Sequence, residues 1–190
     1  GIFLAVRLLD AFDDVITGFI VDNTRTRWGQ FKPWLVVGSV LSGILTVLLF
    51  TDLGLTGTSF LVVFALLNVT WGVAWALHDI SYWSQLPALS VDPGLREKLG
   101  STAKVFASLG VFTVVVGIQP LVSALSGALG GDVAAWRAAA IIFAVAMVAG
   151  VMVNVAGVRE DRTAHLEGAP TSPRELWRAI AGNDQLLWTA

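Results

Sequence analysis

The sequence predicts an all-α membrane protein. Hydrophobic residues make up 55% of the 190 and charged residues only 14%, with a mean hydropathy of +0.74. A soluble domain carries about a quarter charged residues. Five apolar stretches each reach, or nearly reach, the roughly 20 residues a helix needs to cross about 30 Å of hydrocarbon. None shows the period-2 alternation of a membrane strand barrel.

The first stretch spans about residues 2–22 and contains Asp10, Asp13 and Asp14. At a helical repeat these stand at i, i+3 and i+4, so they share one face. Ionisable groups inside a span are costly and mark ion or substrate paths. The first stretch gives way to a loop with Arg25, Arg27 and Lys32. The second span, about 34–51, opens on Pro33, suited to a first helical turn, and stops near Asp52, Gly54 and Gly57. The third runs over about 59–91 and carries Asp79 within WGVAWALHDISYWSQLP. The fourth, about 97–125, follows Asp92-Pro93-Gly94 and carries Lys104. The fifth, about 134–158, follows a glycine-rich turn from Gly127 to Gly131.

Residues 159–183 are polar and read as a cytoplasmic linker. In it Ser172-Pro173-Arg174-Glu175 fits a capping box, and Leu176, Trp177 and Ile180 make the apolar stripe of a short interfacial helix over 173–181. Residues 184–190 begin another apolar run, and GIFLAVRLLD at the start already reads as a span. The expectation is therefore a piece of a longer chain.

Loop charge sets the orientation. Arg25, Arg27, Lys32, Arg96, Lys98, Arg159, Arg162, Arg174 and Arg178 fall in the odd-numbered connections, whereas the even ones offer only Arg137. By the positive-inside rule the odd connections, including loops 23–33 and 92–96 and the linker 159–183, face the cytoplasm of a multi-pass inner (plasma) membrane protein. The net charge of −2 gives no reason to expect a nucleic-acid partner, and without cysteine there is neither a disulfide nor a thiolate metal site.

Counted from the predicted cytoplasmic ends at 1.5 Å per residue, Asp10, Asp14, Asp79 and Lys104 all lie roughly 12 to 18 Å deep. The hydrocarbon midplane lies near 15 Å. Four charges from three spans thus converge on one depth, where isolated charges would each cost about 2.5 to 3.5 kcal/mol or more. Gathered around water, a cation and a polar ligand they become tolerable, which argues for a central cavity. A structural Asp79–Lys104 ion pair is the plainer alternative. Trp75 and Trp83 stand four residues before and after Asp79, with Tyr82 at i+3. Rings beside a carboxylate suit a sugar: the ring covers the C–H face while the carboxylate accepts from hydroxyls. His78 points about 100° away from Asp79 and reads as packing or lining.

Three segments carry a family resemblance: DAFDDVITGFIVDNTRTRWGQFKPW, HDISYWSQLPALSVDPGLREKLGSTAKVFASLG, and the linker ending in GNDQLLW. In order and spacing they resemble the glycoside–pentoside–hexuronide:cation symporters, the melibiose-carrier family of the major facilitator superfamily. The resemblance implies that the five spans are helices two to six of a twelve-helix fold, with the start of the seventh. It matches Asp10 and Asp14 to the family's cation-binding carboxylates, the metal ligands if the ion is Na⁺, and Asp79 to an acid placed between cation and sugar. Asp13, on the same helix face as Asp10 and Asp14, joins them in the candidate cation site. The resemblance also implies sugar binding by Asp79, Trp83 and Lys104, beside which Trp75 and Tyr82 complete the candidate sugar site, and a gating loop of Gly18, Asp22, Arg25, Arg27 and Gly29. The sequence departs from the family at Asp13 (an amide there), Ala76 (a sodium-binding hydroxyl), Trp75 (a tyrosine) and Val15 (a proline). An added acid and a missing neutral oxygen leave Na⁺ and H⁺ both open.

The function expected is cation-coupled sugar or glycoside symport by alternating access. The partners are a small sugar or glycoside, a monovalent cation and the lipid bilayer. No cofactor beyond the coupling ion is expected, and the residues offer no nucleophile, metal cluster or nucleotide loop for an enzyme. The alternatives are a relative of the same fold that carries a lipid or another solute, and a truncated membrane protein that transports nothing.

Overall fold

The computed structural model describes residues 16–24, 26–90 and 92–158. The linker 159–183, the run 184–190 and the three acids of the first span lie outside them. The described elements are α1 (residues 16–22), α2 (Lys32–Leu49), α3 (Gly57–Gln85), a 3₁₀ turn (Leu86–Leu89), α4 (Pro93–Leu129) and α5 (Asp132–Gly157). Among the described residues no strand forms, and four helical segments are long and apolar enough to cross a membrane.

Each boundary has a local cause. Pro33 sits in the first turn of α2, where its missing N–H costs nothing. Helix α3 ends at Gln85 rather than running on towards residue 91, because Pro87 tightens the chain into the 3₁₀ turn. Helix α4 begins at Pro93, four residues earlier than the composition suggests. The Asp92 side chain caps it by accepting from Gly94 N at 2.9 Å. The turn between α4 and α5 is also shorter than the glycine run implies: Gly127 is helical, and Gly130 alone takes the left-handed conformation, φ 76°, that closes α4.

The helices pack as an arc. Helix α2 lies between α3 and α5, α5 lies between α2 and α4, and the 86–89 turn touches both α3 and α4. Lipid tails are as apolar as leucine, so close backbone approach and interhelical hydrogen bonds hold such an arc together. Small residues supply the approach. Gly38, Ser39, Ser42 and Gly43 lie in the buried stripe of α2 between Leu35 and Leu45, and Ala135 and Ala139 of α5 pack on Val122 of α4. At Gly38 a Cβ would lie 2.7 Å from the backbone N of His78, so the α2–α3 crossing tolerates nothing larger than glycine. Lys32 Nζ donates to the Val155 carbonyl at 2.9 Å, placing a cation on the C-terminal end of α5.

Candidate functional site

Ala74, Ser81 and Gln85 form the buried stripe of α3, and it is Ala74 and His78 that abut α2. The neighbouring stripe is Trp71, Trp75, Asp79 and Trp83, one residue per turn. Asp79 is half-buried, whereas Trp75 and Trp83 remain 41% and 37% exposed. The face that carries the predicted sugar residues is therefore the open one.

On that face Trp83 Nε1 donates to Asp79 Oδ1 at 3.2 Å. The pair leaves Oδ2 without a hydrogen bond among the described residues and presents a carboxylate beside an indole ring. Tyr82 meets Trp83 edge to face, centroids 5.4 Å apart. On the other side of Asp79, Trp75 stacks on Trp71 at 5.8 Å with 17° between the planes, and tilts against His78 at 5.6 Å. His78 packs at the α2 crossing, with its Nδ1 buried and without a hydrogen-bond partner among the described residues.

Counted along the helices, Asp79 stands roughly 17 Å from Leu89 and Lys104 roughly 16 Å from Pro93. Their side chains do not meet. Lys104 is exposed, and among the described residues no ion pair joins it to Asp79. The arrangement of elements explains this, since α4 packs on α5 and on the 3₁₀ turn instead of along α3. A stitching ion pair between spans three and four is thereby set aside.

Of the loop residues, Gly18, Asp22, Arg27 and Gly29 are described, while Arg25 is not. Residues 26–29 form a tight turn. Gly29 N donates to Thr26 O at 3.2 Å, Thr26 Oγ1 donates to Gly29 O at 2.7 Å, and Gly29 takes φ 119°, which glycine alone adopts without strain. Gln30 Nε2 donates to the Asp22 carbonyl at 3.3 Å, and Trp34 Nε1 to Thr24 Oγ1 at 2.9 Å, tying the loop to both flanking helices. No described atom lies within 4 Å of where a Cβ on Gly18 would stand. Asp10, Asp13 and Asp14 lie outside the described residues, so the predicted cation site has no geometry here.

Sequence reasoning passed over Trp71, although it continues the four-residue stripe by one turn. It also gave Lys32 no role beyond loop charge, because its partner is 123 residues away.

An apolar groove of about 540 Å³ runs between α2 and α5, lined by Val40, Ile44, Val47, Ile141, Val145 and Val148 among others. Helix α3 contributes nothing to its lining.

Comparison with known proteins places the chain. A family model described as "MFS/sugar transport protein" matches residues 1–190. The chain is 35% identical to a lactose permease of Lactobacillus helveticus over 99% of its own length and 31% of that protein's. It is 33% identical to a raffinose carrier protein of Pediococcus pentosaceus over 100% of its length and 31% of the relative's. A glucuronide carrier protein homolog of Escherichia coli (strain K12) is 38% identical over 56% of the chain and 23% of its own length. The chain thus spans about a third of the length of the permease and the raffinose carrier. It belongs to the MFS/sugar transport family, in the glycoside–pentoside–hexuronide:cation symporter branch of the major facilitator superfamily, as a multi-pass inner-membrane protein.

Proposed function

We propose that the full-length protein carries a sugar or glycoside across the membrane in symport with Na⁺ or H⁺, by alternating access. The observation that carries this reading is the Asp79–Trp83 pair, a carboxylate hydrogen-bonded to an exposed indole partway along a membrane helix. A half-buried acid at that depth needs a reason. A pyranose supplies one, with its C–H face on the ring and a hydroxyl donating to Asp79 Oδ2. Relatives named for lactose, raffinose and glucuronides indicate the class of cargo.

Asp10 and Asp14, together with Asp13 and Asp79, are proposed to bind the cation. Neutralising clustered carboxylates lowers their repulsion and readies the neighbouring site for a hydroxyl network. Because coupling is reciprocal, each ligand raises affinity for the other. Helical bundles then rock around the fixed site. Loops 23–33 and 92–96 and the linker would face the cytoplasm, with Gly18, Asp22, Arg25, Arg27 and Gly29 forming the inner gate. Such a cycle makes and breaks no covalent bond, so the protein is read as a carrier and not an enzyme.

A lipid-carrying relative would place an apolar slot beside Trp83. Among the described residues an apolar groove lies between α2 and α5, and no residue of α3 lines it. The test is uptake of a glycoside panel including lactose, raffinose and a glucuronide by the full-length protein, with and without Na⁺ and across pH. Uptake of at least one member is expected, lost in Asp79→Asn, and unaltered uptake in that variant would refute the site.

A further inference from the structure

A side-chain hydrogen bond joins helix α2 to the Trp71–Trp83 stripe of α3. Trp71 Nε1 donates to Thr46 Oγ1 at 2.9 Å, and Thr46 Oγ1 donates its own proton to the Ser42 carbonyl, one turn back, at 2.8 Å. An indole nitrogen can only donate, and a hydroxyl has a single proton to give. With that proton committed to Ser42, a lone pair of Thr46 is aimed at Trp71, and the bond has one sense only. Trp71 is fixed by it, and Trp71 is the ring on which Trp75 stacks at 5.8 Å and 17°. The 41%-exposed Trp75 ring is thus held from behind by a ring pinned to another helix.

We propose that Thr46 and Trp71 are a positioning pair that orients Trp75 as a specificity-determining platform for the glycoside. This rests on the glycoside reading of the Asp79–Trp83 site. Neither residue would touch the sugar. Their effect falls on the part of the substrate lying one helical turn, roughly 6 Å, from Asp79 along α3. A glycoside with two sugar rings reaches that far, whereas a methyl glycoside of the same hexose, seated at Asp79 and Trp83, does not.

The experiment measures uptake kinetics of the full-length protein in vesicles for such a two-ring and one-ring pair. Thr46→Val removes the acceptor and Trp71→Phe the donor, while each keeps most of the side chain's bulk. Each variant is expected to raise KM for the two-ring glycoside about threefold to tenfold, the effect of one lost hydrogen bond, with turnover within about twofold. KM for the methyl glycoside should move less than about twofold. The double variant should be no worse than the worse single, because both remove the same bond, and Thr46→Ser should behave as the parent. Unchanged KM in both single variants, equal losses for both substrates, or losses that add would each overturn the pair. Trp83→Ala is measured alongside. If uptake survives it, the glycoside site fails and the pair with it; if it impairs uptake while Thr46→Val does nothing, only the pair fails.

Discussion

An indole N–H donates and a carboxylate accepts, so Trp83 and Asp79, one helical turn apart, have only one way to bond, and at 3.2 Å they do. In a low-dielectric span a bond to a charged acceptor is worth more than its surface equivalent. It also holds the ring edge-on to the carboxylate, with Tyr82 set at 79° to the indole. Trp83→Phe keeps the ring and deletes the bond. Glycoside affinity measured by equilibrium binding to the full-length protein should fall about threefold to tenfold, whereas unchanged affinity would deny the bond any part in shaping the site. The spacing of Trp75, Asp79 and Trp83 made this face legible in the sequence, because helical periodicity alone puts them in line. Trp71 was equally in line, but its importance comes from Thr46, 25 residues earlier, and periodicity within one helix says nothing about a neighbour.

Helices in a bilayer gain little from burying leucine against leucine, so the residues that fix their approach are the small ones. Helix α2 shows this in graded form. Gly38 meets the α3 backbone, with a notional Cβ 2.7 Å from His78 N and 2.9 Å from Ala74 O, and backbone cannot step aside. At Gly43 the three atoms nearest a notional Cβ are side-chain atoms of α5, the closest being Ala144 Cβ at 3.4 Å. Gly38→Ala should therefore lower the thermal unfolding midpoint of the full-length protein by an amount equivalent to about 1 to 3 kcal/mol of overpacking. Gly43→Ala should change it much less, and equal midpoints for the two variants would contradict the crossing geometry. The existence and order of the spans could be read from hydropathy, since length and apolarity are local properties. Their ends were read less well. The Pro87 turn and the early start of α4 at Pro93 depend on backbone hydrogen bonding that hydropathy does not encode.

Assembled, the described helices form an arc whose two end members, α3 and α4, carry Asp79 and Lys104 without joining them. Depth can be counted along a sequence. The rotation of one helix against another cannot. For that reason the expected gathering of Asp79 and Lys104 about one cavity is not seen among the described residues, where Lys104 is exposed and α4 does not pack along α3. Lys32 illustrates the same limit, reaching from the first loop to the last turn of α5 at Val155. The proposed cycle draws these parts together: a cation on the acids of the first span, a glycoside on the exposed stripe of α3, each raising affinity for the other. The most direct test is the affinity of the purified full-length protein for its glycoside, titrated with and without Na⁺ and over a range of pH, for the parent and for Asp10→Ala. The account predicts that the coupling cation tightens glycoside binding in the parent by about 5- to 150-fold, and that Asp10→Ala removes this dependence. Equal affinity in the parent under every cation and pH condition, or undiminished dependence in Asp10→Ala, would contradict it.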